Sequence, residues 1–325
     1  MVSLAKSKKA IFFTFVAILL LSTLVLSFSI YSRYRLRTKA LVMETRINAM
    51  NSFIKDLDKD IDRGCFIASY RAMLSMVEHV SSSGAFIDNV SIRFEELFLN
   101  GTLYSDQQDL MVDSTFNDWE DKMKEQGDKI NLNLNFTFNS LEINHTDPWN
   151  IGVYLGVSLY ASDVTGIASW NMSKSIETTV PIEGFEDPTY AANTLGKVLN
   201  KINKTPFTDF VIANDTTNLL IHAENSYYVE WTTAPSFLMR LEGNLNASPY
   251  GIESLINLDE LKQEKIGTEK RSVVDHIYWS NKSVLSYKIK DMPAWFRMDD
   301  EYNSEAGMTH LELYEVEDLT QGPGS

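Results

Sequence analysis

Five histidines, His79, His145, His222, His276 and His310, and one cysteine, Cys65, are the side chains best suited to metal binding or nucleophilic chemistry. The histidines are dispersed, no two stand at metal-ligand spacing, and no HExxH, CxxC, GxSxG, P-loop or GxGxxG pattern occurs. Asp275-His276 sets an acid beside a base. The surrounding DHIYWSN reads as a strand, however, in which neighbours face opposite sides, so a surface or core histidine is the better reading. Asp299, Asp300, Glu301, Asn303 and Glu305 lie in a loop-like segment and read as a solvated acidic loop rather than a calcium site. Asp56-x-Asp58-x-Asp60 fails as a calcium loop, with Ile61 where glycine is required and Ile67 where the bidentate glutamate belongs. Cys65 has no His or Lys neighbour and no partner for an internal disulfide, so it reads as a buried, inert thiol. Trp279, Trp295 and Phe296 read as core or sheet residues rather than a ligand box. These residues point away from an enzyme, and no catalytic residue, cofactor or metal is expected.

The elements that would have to position such groups begin with the charge distribution. The chain has 325 residues, 44% of them hydrophobic, enough for one or two domains with real cores. All 44 acidic residues but only 22 of the 29 basic ones lie beyond Lys39, so that part carries a net charge of −22. Such a surface repels phosphate backbones, which excludes nucleic acid as a partner and favours solubility.

No residue from Ala10 to Ser32 is charged, and the run is dense in Leu, Ile, Val and Phe. About 20 such residues, rising ~1.5 Å each, span a hydrocarbon core of roughly 30 Å. A cleavable signal peptide has an apolar core of only about 7–15 residues. Ser27 and Ser29 mimic its cleavage site, but Arg33-x-Arg35-x-Arg37 reads as an interfacial stop, so an uncleaved single-pass anchor in the lipid bilayer is favoured. Lys6, Lys8 and Lys9 on one side balance Arg33, Arg35, Arg37 and Lys39 on the other, and charge leaves the orientation tied. Sequons break the tie: Asn89, Asn100, Asn135, Asn144, Asn171, Asn203, Asn214, Asn246 and Asn281 each precede Ser or Thr by two positions without an intervening proline. Roughly four would arise by chance from this Asn, Ser and Thr content, so glycosylation and an outward-facing C-terminal part are expected. The expected location is the cell membrane, with the N-terminus cytoplasmic and the rest extracellular.

Beyond the arginines, apolar or small residues recur alternately four and three apart: Leu36, Ala40, Met43, Ile47, Met50, Ile54, Leu57 and Ile61. This is a heptad seam with polar residues on the other faces, and it predicts a helix continuing straight out of the membrane. Two readings compete for the seam: it packs on the chain's own globular part, or it packs on other copies. Helical spacing resumes after Gly64 and runs to Ser81-Ser82-Ser83-Gly84, which ends it.

The remainder predicts an α+β fold. Ser114 is the expected cap of a helix over FNDWEDKMKEQ, stopped by Gly127. In INLNLNFTF, Ile130, Leu132, Leu134, Phe136 and Phe138 alternate with polar residues, the pattern of a strand with one buried face. GVYLGVSLYA and ASWNMSKSIETTV, joined by a turn over Ser162 to Gly166, extend this to an antiparallel meander. Asp187-Pro188 reads as the N-cap and first residue of a further helix. SYYVEWTTA, SFLMRLEG and DHIYWSN look strand-like, with a helical patch around ESLINLDELKQE. The expected organisation is a cytoplasmic stub (1–9), a transmembrane helix (10–32), a helical stalk (33–83), an α+β domain (84–206), a second β-rich half or domain (207–317) and a disordered tail (318–325).

Lys8-Lys9-Ala10 before the apolar run, with a long helix leading into a sheet-bearing head, resembles archaeal type IV pilin-like surface proteins with a class III signal peptide. The resemblance covers about the first 65 residues and the general architecture. It implies cleavage between Ala10 and Ile11 and packing of the apolar helix in a filament core. The fifth apolar position is Phe15, where many pilins carry Glu, and the head is large for that family. The leading expectation is a non-enzymatic surface protein, pilin-like or an envelope or adhesion component, whose stalk meets other copies or other surface proteins. The alternative is a monomeric membrane-tethered ligand-binding or accessory subunit, and an extracellular hydrolase ranks third.

Overall fold

No proline or glycine interrupts the sequence from Leu4 to Arg63, so nothing breaks an i→i−4 ladder over that length. In the computed structural model, which describes residues 4–280 and 282–323 with side chains from residue 10 onward, helix α1 accordingly runs from Leu4 to Ser83. It stops where the serine run reaches Gly84, whose backbone sits at φ +70° and donates its N–H to the Val80 carbonyl. Inside the apolar run the hydroxyls of Ser22 and Thr23 bond back to the carbonyls of Leu19 and Leu20, both at 2.8 Å. Side chains satisfied within their own helix are what a hydrocarbon environment demands. α1 is long and apolar enough to cross a membrane.

The seam on α1 divides. Leu36 is 65% exposed and Met43 44%, Ala40 is also exposed, and Ile47 is half-buried. Met50, Ile54, Leu57 and Ile61 are 1–4% exposed. The chain thus covers the C-terminal half of the seam itself and leaves the N-terminal half open.

The chain forms two compact units, Met1–Lys59 with Lys124–Asn135 and Tyr160–Asn171, and Asp60–Met123 with Phe136–Leu159 and Met172–Ser325. After α1 come α2 (Val90–Asn100), the short strands β1 (Thr102–Leu103) and β2 (Asp106–Gln107), and α3 (Phe116–Lys129). Thr115, not Ser114, caps α3: Thr115 Oγ1 accepts from the Asp118 N–H while the Asp118 carboxylate accepts the Thr115 N–H, at 2.9 Å each. Gly127 does not stop α3 but lies inside it, where a Cβ would sit 2.8 Å from the Leu132 carbonyl oxygen. Strands β3 (Leu132–Asp147), β4 (Asn150–Asp163) and β5 (Ser169–Pro181) form one sheet in chain order, the expected meander. Leu132, Leu134 and Phe136 are buried and Asn133, Asn135 and Thr137 exposed, as the alternation requires; the strand starts at Leu132 because Asn131 turns the chain at φ 56°. In the β4–β5 turn, Asp163 accepts the N–H groups of Thr165 and Ile167 and pairs with Arg46 of α1 at 2.6 Å.

The rest of the second unit is built from short elements. These are α4 (Pro188–Thr194), α5 (Thr217–Glu224), β6 (Tyr228–Glu230), α6 (Phe237–Leu241), β7 (Ile252–Ser254), α7 (Leu258–Gln263) and α8 (Asp275–Tyr278), then β8 (Ser286–Ile289), β9 (Arg297–Asp299), β10 (Tyr302–Asn303), β11 (Met308–Thr309), α9 (His310–Leu313) and β12 (Thr320–Pro323). Asp187-Pro188 opens α4 as expected, Asp187 accepting the Thr189 N–H. Three other expectations need correction. SFLMRLEG and DHIYWSN hold helices α6 and α8 instead of strands, and the tail is ordered to Pro323, where β12 pairs antiparallel with β8. β6 pairs with β7 and β8 with β9, all antiparallel. Their apolar core includes Leu219, Leu255, Val274, Ile277, Met298 and Tyr314.

Candidate functional site

The most concentrated chemistry adjoins that core through Tyr314, in a buried polar network the sequence pattern did not reveal. It starts at Gly251, where a Cβ would stand 2.2 Å from the carbonyl oxygens of Trp231 and Ala234. Only glycine lets the backbone pass that closely, and the passage places β7, with Glu253 at its centre and fully buried. Val229 opposite Glu253 fixes the register of β7 against β6. His310 is the first residue of α9, held there by a reciprocal capping box between Thr309 and Glu312. His276 is the second residue of α8, and Asp299 ends β9.

These segments converge. The two nitrogens of His310 face two carboxylates, Nδ1 lying 2.6 Å from Asp299 Oδ1 and Nε2 3.1 Å from Glu253 Oε2. Ser272 donates its hydroxyl to the other oxygen of Asp299, and Tyr314 donates its hydroxyl to Glu253 Oε1 at 3.0 Å. Burial disfavours a charged imidazole at His310, but the attraction of Glu253 and Asp299 outweighs it and pushes the pKa up to about 10. His310 is therefore an imidazolium at neutral pH. His276 Nδ1 lies 3.8 Å from Glu253 Oε2 and 3.5 Å from Asp275 Oδ1, its side chain 6% exposed, and it has no hydrogen-bond partner. Ligating atoms of Glu253, His276 and His310 all lie within 4.8 Å of one another.

A second cluster adjoins the first through Asp275. Arg240, fully buried on α6, pairs through Nη1 with Asp187 at 2.6 Å and Asp275 at 3.0 Å, and its Nη2 donates to the Ile252 carbonyl. Tyr228 donates to Asp187 at 2.7 Å, while the N–H and hydroxyl of Ser254 donate to Asp275 at 3.1 and 2.8 Å. Desolvation works against the Asp275 carboxylate, yet the Arg240 guanidinium holds its pKa well below the usual range. Four buried carboxylates, Asp187, Glu253, Asp275 and Asp299, thus share the network with Arg240 and His310.

Two sequence readings change here. Asp275-His276 is not a strand pair on opposite faces: both side chains are buried and both belong to the network. Asp299 and Asn303 are not part of a solvated loop but fully buried, Asn303 exchanging hydrogen bonds with Thr232. Thr309-x-x-Glu312 was the one local signal that could have placed His310 at a helix start.

The other sites fall elsewhere. All eight described sequon asparagines, Asn89, Asn100, Asn135, Asn144, Asn171, Asn203, Asn214 and Asn246, are exposed, whereas Asn281 lies outside the described residues. Asn89 also caps α2 through its side-chain oxygen, which accepts from the Ile92 N–H and leaves the amide nitrogen unengaged by the cap. Ala10 and Ile11 are exposed on α1. Cys65 is fully buried, and burial pushes its thiol up to about 12, as an inert thiol requires. An open cleft of about 490 Å³ is lined by Leu74, Val77, Glu78, Phe185, Glu186 and Lys201, among others. Compared with protein-family models, curated proteins and solved structures, the chain matches none.

Proposed function

We propose that this chain is a non-enzymatic, single-pass surface protein, anchored by α1 with the N-terminal end of that helix toward the cytoplasm, and that the open half of its seam meets other copies in a pilin-like arrangement. The observation that carries this reading is the change along α1. Large apolar side chains from Ile11 to Val42 stand 36–71% exposed, while the same seam is covered from Met50 onward. A soluble protein would pay heavily for a bare apolar helix of that length, and only a bilayer or neighbouring copies remove it from water. The exposed sequons support the outward orientation of the remainder.

Mass spectrometry of the mature protein tests the pilin-like part. A chain beginning at Ile11 is the expected result, and intact residues 1–10 would sink pilin-type processing. A cysteine placed at Met43 distinguishes assembly from a tether: oxidative cross-linking to a second copy supports assembly, and its absence leaves the monomeric ligand-binding tether, for which the cleft beside Leu74 is the natural site.

A further inference from the structure

From the geometry around Glu253 we infer a binding site for one divalent transition-metal ion of the Zn2+ type, with Glu253 Oε2, His276 Nδ1 and His310 Nε2 as ligands. The arrangement has the features such a site needs. Ligands around a tetrahedral ion at about 2.0–2.2 Å stand roughly 3.4 Å apart. The corresponding separations here are 3.1 Å between Glu253 Oε2 and His310 Nε2 and 3.8 Å between Glu253 Oε2 and His276 Nδ1, with all three ligand atoms inside a 4.8 Å limit. Small side-chain shifts, well short of any backbone movement, would close that triangle on an ion.

The outer partners of the ligands are in place. Asp299 holds Nδ1 of His310 and so aims Nε2 at the centre, the carboxylate–histidine arrangement that fixes the orientation and basicity of a ligating imidazole. Asp299 is itself held by Ser272 and by the Glu301 N–H at 3.0 Å. Tyr314 occupies Glu253 Oε1 and leaves Oε2 for the ion. His276 supplies the independent observation. Its side chain is 94% buried, its Nδ1 stands between two carboxylates, 3.5 Å from Asp275 Oδ1 and 3.8 Å from Glu253 Oε2, and that nitrogen has no hydrogen-bond partner. An orphaned buried imidazole nitrogen is costly in a finished core and is what a ligand awaiting its ion looks like.

Two imidazoles with one carboxylate select a borderline transition ion over Mg2+ or Ca2+, which favour all-oxygen sites. Three protein ligands leave a fourth position for a water. The ion would tie β7, α8 and α9 together, elements 23 and 34 positions apart in the chain, and the Nε2 proton of His310 would leave as it enters. This inference is independent of whether the stalk assembles.

The untagged full-length chain in detergent is stripped with EDTA, dialysed against Zn2+ and then against buffer, and its metal content is measured by plasma mass spectrometry. One zinc per chain is expected for the wild type and for His79→Phe, whose imidazole lies outside the network. His276→Phe, which keeps a ring and removes the nitrogens, should lose the zinc, and Asp299→Asn should weaken binding about 10- to 100-fold. A wild type that retains no zinc, or a folded His276→Phe that keeps it, overturns the inference. Should His276→Phe fail to fold, zinc-edge X-ray absorption on the wild type decides: two imidazole nitrogens at about 2.0–2.1 Å support the site, and a shell of oxygens alone refutes it.

Discussion

Between Ile11 and Met43 the chain turns large apolar side chains outward, whereas between Asp187 and His310 it turns charges inward. Each region inverts the usual rule of a water-soluble fold, and the two inversions have different causes. An apolar exterior is costly in water, a cost that lipid or a neighbouring helix would remove. A charged interior signals specific pairing, because Arg240, Asp187 and Asp275 survive burial by bonding one another and the hydroxyl and backbone groups around them. The first inversion should be sensitive to changes in hydrophobicity and tolerant of shape; the second should be sensitive to the loss of any single partner.

The largest effect is therefore expected in the charged interior. Arg240→Ala leaves two carboxylates buried without their cation and should destabilise the second unit by about 3–5 kcal/mol, read as a lowered midpoint in urea. If that midpoint stays within error of the wild type, the pairing does not hold this core together. The apolar exterior is broken by charge. Leu20→Arg, at an outward position of the apolar run, should cost about 2.5–3.5 kcal/mol of insertion and move protein from the carbonate-resistant membrane pellet into the supernatant. An unchanged pellet fraction would mean that α1 is not the anchor.

A third contrast lies within the charged interior, between two buried histidines. His310 has two carboxylates and is charged, while His222 sits against the rings of Phe210 and Tyr314 with only the Thr205 hydroxyl on Nδ1, and desolvation lowers its pKa to about 3. A base with a depressed folded pKa is protonated more readily in the unfolded state, so it contributes a loss of stability that begins below the unfolded pKa of about 6.5 and grows as pH falls toward 3. Acidification from pH 7 to 5 should therefore cost about 2 kcal/mol through His222 alone. His222→Gln should flatten that slope even if its stability at pH 7 is lower, and an unchanged slope would remove His222 as its source.

What the sequence revealed follows the same division. The long apolar helix, the seam, the stop at Gly84, the Asp187-Pro188 helix start and the Leu132 to Phe136 alternation are periodic or local signals, and they could be read directly. The network could not. α6 and α8 are five and four residues long, too short to show a helical period, and their residues are buried on most sides, so SFLMRLEG and DHIYWSN mimic strands. Glu253 and His310 are 57 positions apart, and only the tertiary path through Gly251 and the Thr309 cap brings them to 3.1 Å.

The smallest expected effect tests where the two regions meet on one helix. Ile54 and Leu36 both lie on the seam, but Ile54 is 4% exposed and Leu36 65%. Removing one methylene from a covered site loses its transfer energy and leaves a small cavity, so Ile54→Val should cost about 0.5–1.5 kcal/mol of folding stability. At Leu36 the side chain has no intramolecular packing to lose, and Leu36→Ala, though a larger truncation, should fall within about 0.5 kcal/mol of wild type in dilute detergent solution. If the open half meets other copies, Leu36→Ala should instead reduce cross-linking at Met43 without touching the melting of the monomer. A monomer destabilised equally by both substitutions would show that the seam is covered along its whole length, and the division of α1 into an outward and an inward half would be lost.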